Sequence, residues 1–150
     1  MEGASREPRL GLYEKAAPSS LSLPELLIAA GEAGFDFVEM SVDESEARLA
    51  RLAMGREERR ALADAMRDTG VPIGSICLSA QRKYPMGSAD AAVRARSMAI
   101  IEGAIDLAAE LGVRIVQIAG YDVYYEPSTG ETRSRFREGL EEAVLMAARR

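Results

Sequence analysis

Val113-Arg-Ile-Val-Gln-Ile-Ala-Gly-Tyr-Asp-Val-Tyr-Tyr-Glu126 carries an apolar run straight into a loop crowded with polar groups. Val113, Ile115, Val116, Ile118 and Ala119 read as a strand buried on both faces, the pattern of a parallel sheet covered by helices. Gly120 lets the backbone turn or come close to a ligand. Tyr121, Asp122, Tyr124, Tyr125 and Glu126 follow at once. Ligands of parallel α/β proteins sit at the carboxyl ends of the strands, so this loop stands where chemistry would be. An aromatic-lined loop that only packs over the end of the sheet would read the same way, and the stretch by itself leaves both open.

The hand-over that precedes it recurs along the chain. Ala33-Gly34 leads into Phe35 to Met40, Thr69-Gly70 into Val71 to Leu78, and Leu111-Gly112 into Val113 to Ala119. Glycine suits the end of a helix because it enters the left-handed conformation without a steric penalty. A shorter strand, Leu10 to Tyr13, comes first. Ser22-Leu-Pro-Glu25 is a capping-box pattern with proline in the first turn, and Leu26, Leu27, Ala30 and Ala33 continue it as an apolar stripe. The spacing predicts further helices from near Arg56 to Asp68 and from near Ser88 to Leu111, and a short one around Ser45 to Leu52. A last helix carries Phe136, Leu140, Val144 and Ala147 on its inward face.

Strand and helix thus alternate through four units, which calls for a parallel sheet with right-handed crossovers. A small doubly wound sheet and half of an eight-fold βα barrel both fit, the whole barrel needing about 250 residues. The chain has 150 residues and stops inside its fourth major helix at Arg149-Arg150, which favours a barrel cut at its midpoint. The expected organisation is a flexible lead over residues 1–9 and a half-barrel over residues 10–150.

Composition narrows the function. A net charge of -5 lacks the basic face of a nucleic-acid binder. No apolar stretch is long enough to span a bilayer, and the polar first residues lack a signal-peptide core. The single cysteine, Cys77, has no partner for an internal disulfide, so a cytoplasmic location is expected. The chain has no histidine, which removes a Ser-His-Asp triad, a Cys-His pair and any histidine-ligated metal. Cys77 is therefore read as a buried, inert thiol.

The four strand ends converge on one side of a parallel sheet. They deliver Tyr13-Glu14-Lys15, then Glu39 to Glu44, then Ser79 to Pro85, then Gly120-Tyr121-Asp122. Fixed donors and acceptors on a rigid scaffold are what a sugar site requires. Arg82 and Lys83 are adjacent cations beside Gln81, and arginine grips phosphate oxygens in a bidentate fashion. Glu39 is a carboxylate in an otherwise apolar strand, close to its carboxyl end, which favours a pocket position over a paired structural one. No glycine-rich phosphate loop is present. Tyr13-Glu14-Lys15 is not the hydroxyl-rich turn of a flavin site, which weakens the doubly wound alternative.

Four strings carry a resemblance: Gly11-Leu-Tyr-Glu-Lys-Ala16, Gly34-Phe-Asp-Phe-Val-Glu-Met-Ser-Val-Asp-Glu44, Cys77-Leu-Ser-Ala80 and Gln117-Ile-Ala-Gly-Tyr-Asp-Val-Tyr-Tyr125. The chain resembles the L-ribulose-5-phosphate 3-epimerases of L-ascorbate utilisation, also called L-xylulose-5-phosphate 3-epimerases, among the xylose-isomerase-like TIM barrels. The resemblance covers the N-terminal half of such an enzyme. It implies an isomerase that moves the proton at carbon 3 of a ketopentose phosphate with two glutamates, assisted by a divalent metal. Those groups belong to the second half in the family, so no catalytic and no metal residue is carried over to this chain. The substrate-facing rim is carried over: Tyr13, Glu39, Ser79, Gln81, Arg82 and Tyr121. The family usually has histidine where Gln81 stands, and glutamine keeps the hydrogen bonding but not the charge.

The resemblance therefore implies the N-terminal part of an epimerase, inactive on its own, whose partner molecule is a sugar phosphate. The alternative is a catalytically inactive half-barrel that binds a sugar phosphate or self-assembles through open sheet edges.

Overall fold

The computed structural model describes residues 8–150. The expected lead over residues 1–9 falls mainly on residues 1–7, which lie outside the described residues. Beyond them the chain is already held. The Arg9 guanidinium donates to the Asp36 carbonyl at 3.0 Å, and the Leu10 N–H donates to Asp36 Oδ2 at 2.6 Å.

Four strands, β1 (Gly11–Tyr13), β2 (Phe37–Ser41), β3 (Ile73–Leu78) and β4 (Val116–Ile118), form one sheet in the order β1-β2-β3-β4. All three pairings are parallel. The helices between them are α1 (Leu23–Glu32), α2 (Glu46–Leu49), α3 (Arg56–Thr69) and α4 (Ala91–Leu111), and α5 (Gly130–Ala147) follows β4. Short 3-10 turns follow β1, α2 and β3. This is the alternation read from the sequence, half of a βα barrel.

The local signals act as their chemistry dictates. The Ser22 N–H donates to Glu25 Oε2 at 2.8 Å while Ser22 Oγ accepts from the Glu25 N–H at 3.4 Å, so the capping box is closed in both directions. The hand-over glycines Gly34, Gly70 and Gly112 have φ of 83°, 70° and 71°, the left-handed conformation in which a Cβ would be strained. Helix α4 starts at Ala91 rather than near Ser88, because the Asp90 side chain accepts from the Ala92 N–H at 2.7 Å and sets the cap there.

The core lies between the sheet and the helix layer. Leu27, Val38, Met40, Ile76, Leu78, Ile101 and Leu107 are all at most 1% exposed. Burying each such side chain stabilises the fold by roughly 1.5–3 kcal/mol.

Two expectations are corrected at the far edge of the sheet. The fourth strand is not buried on both faces: Ile115 is 58% exposed, and Val116 and Ile118 are half-buried. It is an edge strand paired with β3 alone. The inward face of α5 is also rotated from the predicted stripe. Thr132 and Ala143 are buried and Phe136 and Met146 pack against the core, whereas Val144 is 61% exposed. Leu140, Val144 and Ala147 instead line an open apolar groove of about 960 Å³, facing Ile105, Val113 and Ile115. Periodicity marked these residues as apolar, but not that the chain leaves one side of them uncovered.

Candidate functional site

Alternation along the strands decides what the concave side of the sheet presents. Val38, Met40, Ile76 and Leu78 point into the helix layer, so Tyr13, Glu39, Cys77 and Gln117 fall on the opposite face. Register aligns them in rows: Tyr13 opposite Glu39, Glu39 opposite Ser75, Ser41 opposite Cys77, and Cys77 opposite Gln117. Glu39 Oε2 accepts from Ser75 Oγ at 2.7 Å. Phe37 closes the same face toward the strand N-termini. Its ring leaves no room for a side chain at Gly74, where a Cβ would lie 2.6 Å from the ring.

Burial pushes the Cys77 thiol above its ordinary range, and the Glu39 carboxylate adds to this. A hydrogen bond with Tyr13 and the charges of Lys15 and Arg82 oppose it without reversing it. Cys77 is half-buried rather than buried, since it lines the open concave side. It remains a protonated thiol, as expected of an inert one.

The strand ends form the rim. Cys77, Ser79, Arg82, Gln117, Tyr121 and Tyr124 line a cleft of about 170 Å³. Small-molecule sites run from about 300 Å³ upward, so the cleft is a partial site with an open side. Of the residues read from the sequence, Ser79, Arg82 and Tyr121 meet in this cleft. Tyr13 and Glu39 stand deeper, across the sheet face. The Arg82 guanidinium lies 5.5 Å from the centre of the Tyr124 ring, within cation–π range. Tyr121 and Tyr124 rings pack with centres 5.2 Å apart. Burial raises the Tyr121 hydroxyl above its usual range, and the charge and hydrogen bond of Arg82 oppose this. The pair therefore offers a cation and a neutral hydroxyl donor side by side.

Gln81 lies beneath the rim, 3% exposed. Its Oε1 accepts from the Ala119 N–H at 2.9 Å, tying the turn after β3 to the end of β4. Its Nε2 has no partner among the described residues. Ser79 is 8% exposed, with Lys15 Nζ 3.5 Å from its hydroxyl.

The sequence passed over the ionic frame that holds this rim. Glu14, in the turn after β1, is 7% exposed. Its carboxylate accepts from Arg51 Nη1 and Nη2 at 2.8 and 2.7 Å and from the Ser41 N–H at 2.7 Å. Arg48 approaches it at 3.5 Å and Asp43 at 2.9 Å. Asp43 in turn holds Lys15 at 2.9 Å. Burial pushes the Glu14 carboxyl up, but the Arg51 hydrogen bonds, the Ser41 N–H and the two guanidinium charges outweigh it and hold it below the usual range. Asp43 is likewise raised by burial and brought well below its ordinary value by Lys15, Ser45 and Arg48. The only sequence signal was two acids at the strand ends, with partners 37 and 5 residues away that no local pattern connects.

The loops after β3 and β4 are fastened to each other. The Gly87 N–H donates to the Asp122 carbonyl at 3.0 Å, and the Ala89 N–H donates to Glu126 Oε2 at 3.1 Å. A Cβ at Gly87 would lie 2.5 Å from the Asp122 oxygen, so only glycine fits. Asp122 also accepts from Ser128 at 2.9 Å and from the Thr132 hydroxyl in the first turn of α5.

A metal does not fit these residues. Glu39 is engaged by Ser75, and Glu14 and Asp43 are engaged by cations. Among the described residues, no three His, Cys, Asp or Glu side chains converge to hold an ion. No helix among them is long and apolar enough to cross a membrane.

Comparison with known proteins agrees with this frame. L-ribulose-5-phosphate 3-epimerases UlaE of Salmonella paratyphi B and Salmonella enteritidis are 54% identical over 145 residues, which is 97% of this chain and 51% of each relative. The chain thus spans about half the length of the curated relatives it matches. The solved structure of an L-ribulose 3-epimerase superposes with a TM-score of 0.68 at 28% identity, over 95% of this chain and 46% of that one. A D-psicose 3-epimerase solved in the presence of D-fructose gives 0.77 at 18% identity over 94% of this chain and 49% of that one, a likeness of fold. The family model for xylose isomerase-like TIM barrels matches residues 27–150. With four parallel strands in barrel order and a polar rim at their carboxyl ends, the chain belongs to the xylose isomerase-like TIM barrel family.

Proposed function

We propose that this chain supplies the substrate-holding half of a ketopentose-phosphate 3-epimerase that interconverts L-ribulose 5-phosphate and L-xylulose 5-phosphate. The observation that carries the reading is the 54% identity to the epimerases over 145 residues, which include the whole rim. In this reading Arg82 takes an anionic or strongly polar group of the sugar phosphate. Tyr121 and Ser79 hold hydroxyls, and Tyr13 and Glu39 face the sugar chain. Gln81 acts through the backbone of Ala119, as a positioning residue.

Epimerisation at carbon 3 removes a proton from one face and returns one to the other, so it needs proton carriers on opposite sides of the sugar. Glu39 is the one carboxylate that alternation places on the concave face of these strands. A chain with one such group is expected to bind and orient but not to turn over. Glu39 is read as a rim residue rather than a carrier, and both carriers, with the ligands of the divalent metal that the resemblance implies, are assigned to polypeptide outside these 150 residues. The reading places the enzyme in the cytoplasm, in keeping with a single protonated cysteine.

The test is exchange of the carbon-3 proton of L-ribulose 5-phosphate in D2O, followed by NMR. One arm uses this chain alone. The other uses this chain joined to the C-terminal half of the Salmonella relative. The joined barrel should incorporate deuterium and form L-xylulose 5-phosphate, and the chain alone should do neither. Turnover by the 150-residue chain, or an inert joined barrel that is folded, overturns the assignment. A second reading keeps the rim and drops the reaction, as a sugar-phosphate-binding half-barrel. The incomplete cleft favours it only if the chain alone binds the sugar phosphate while the folded joined barrel stays inert.

A further inference from the structure

The ionic frame at the rim does not balance. Glu14 and Asp43 bring two carboxylates, whereas Lys15, Arg48 and Arg51 bring three cations. Glu14 is taken by both prongs of Arg51, with Arg48 at 3.5 Å. Asp43 Oδ2 is shared, 2.9 Å from Arg48 Nη1 and 2.9 Å from Lys15 Nζ, while Oδ1 accepts from the Ser45 N–H at 3.0 Å. One positive charge is left over, and exposure says where it emerges. The side chains of Glu14, Asp43, Arg48 and Arg51 are between 8% and 17% exposed, and that of Lys15 is 32% exposed. Among the described residues Asp43, already matched by Arg48, is the one acid that pairs with Lys15. A surplus cation on a partly buried network is stabilised when an anion meets it.

Lys15 emerges beside the cleft. Its ammonium lies 3.5 Å from Ser79 Oγ, and Ser79 lines the cleft together with Arg82. A contact of that length is weak, so the ammonium is free to turn to an arriving oxygen. It has three N–H donors, of which Asp43 and Ser79 occupy two. The Cys77 thiol, on the same cleft wall, feels the charges of both Lys15 and Arg82. We propose that Lys15 is a specificity-determining residue of the site: with Arg82 it holds the phosphate group of the sugar, and it sets the preference for a phosphorylated over a free ketopentose. This assignment rests on the reading of the guest as a sugar phosphate. Lys83, next to Arg82 in the sequence, does not share the task. Its ammonium lies 5.4 Å from the centre of the Tyr84 ring, and it does not line the cleft.

Lys15 and Lys83 are the only lysines in the chain, so lysine labelled with 13C at Cε gives NMR one signal for each, with Lys83 as the internal control. In the chain and in the joined barrel, the Lys15 signal should shift saturably with inorganic phosphate and with L-ribulose 5-phosphate. It should not do so with L-ribulose, and Lys83 should stay in place. In the joined barrel, Lys15→Met should raise KM for L-ribulose 5-phosphate at least about tenfold, the worth of one charge-assisted hydrogen bond, with kcat within about twofold. Inhibition by inorganic phosphate should weaken by the same factor, and Lys15→Arg should keep most of both. A Lys15 signal that ignores phosphate overturns the proposal, as does an equal shift with L-ribulose. A Lys15→Met barrel with the parent KM also overturns it while leaving the proposed reaction intact. An inert joined barrel whose Lys15 signal still answers phosphate sinks the reaction and upholds the assignment of Lys15.

Discussion

Removing Arg51 isolates the two-pronged clamp on Glu14. In Arg51→Ala the Glu14 carboxylate, 7% exposed, loses two hydrogen bonds of 2.8 and 2.7 Å. The Ser41 carbonyl loses a third at 2.9 Å. What remains to Glu14 is the Ser41 N–H and the Arg48 guanidinium at 3.5 Å. Deleting one partner of a buried ion pair costs about 3–5 kcal/mol. Arg48 stays to share the charge and Arg51 is itself 15% exposed, so the lower figure, about 3 kcal/mol, is expected. Arg51→Lys keeps the charge but not the fork and should fall between. Urea unfolding at pH 7 reads the loss. The sign of the pH dependence follows from the depressed Glu14 carboxyl. Its stabilisation is complete above the unfolded value of about 4.3 and is lost as pH falls through the lower folded value. Without Arg51 the folded value rises, so the gap between parent and variant should be widest near neutrality and close in acid. A gap below about 1 kcal/mol at pH 7, or one that is the same at pH 7 and pH 3, would refute the reasoning.

Other outcomes follow from single contacts. Gly74→Ala drives a methyl to within 2.6 Å of the Phe37 ring and should destabilise by about 1–3 kcal/mol; Phe37→Leu in the same chain should recover part of it, and equal losses in single and double variants would sink the explanation. Gln81→Ala strands the Ala119 N–H and should lower the urea midpoint by the equivalent of about 1–3 kcal/mol, and Gln81→Glu, which keeps the acceptor but buries a charge at a position 3% exposed, should lower it as well near neutral pH; an unchanged midpoint in Gln81→Ala would refute the tie. Glu39→Gln removes a charge that holds the Cys77 thiol up, so alkylation of Cys77 by iodoacetamide at pH 7.5 should speed up; an unchanged or slower rate would mean the two groups do not interact.

Much of the fold was legible because its signals are local. Ser22 with Glu25, and the glycines at 34, 70 and 112, each act within a few residues, and the structure places a cap or a left-handed turn at each. The order of strands and helices followed from the same punctuation. The burial of β4 and the facing of α5 are not legible in the sequence because they depend on what lies beside them in space. An apolar run reads alike at a covered position and at an edge. At the rim, the sequence could name polar residues at strand ends, and Ser79, Arg82 and Tyr121 do share a cleft. It could not tell a residue that faces the cleft from one beneath it, as with Gln81, since both follow the same strand. Nor could it pair Glu14 with Arg51, which the 3-10 turn after α2 brings to the end of β1 across 37 positions.

The fastening of Gly87 to Asp122 and of Ala89 to Glu126 sets a limit on how this scaffold can change its preferences. One wall of the cleft is cast when the chain folds, so an arriving molecule finds Tyr121 and Tyr124 already in position rather than gathering them. The entropy of ordering that wall is lost at folding and does not subtract from affinity. Selection for a different guest, in nature or in the laboratory, would therefore advance by exchanging side chains such as Arg82 or Tyr124. Lengthening or bending either loop would break the clasp at Gly87 first, and the wall would be lost before a new shape was gained.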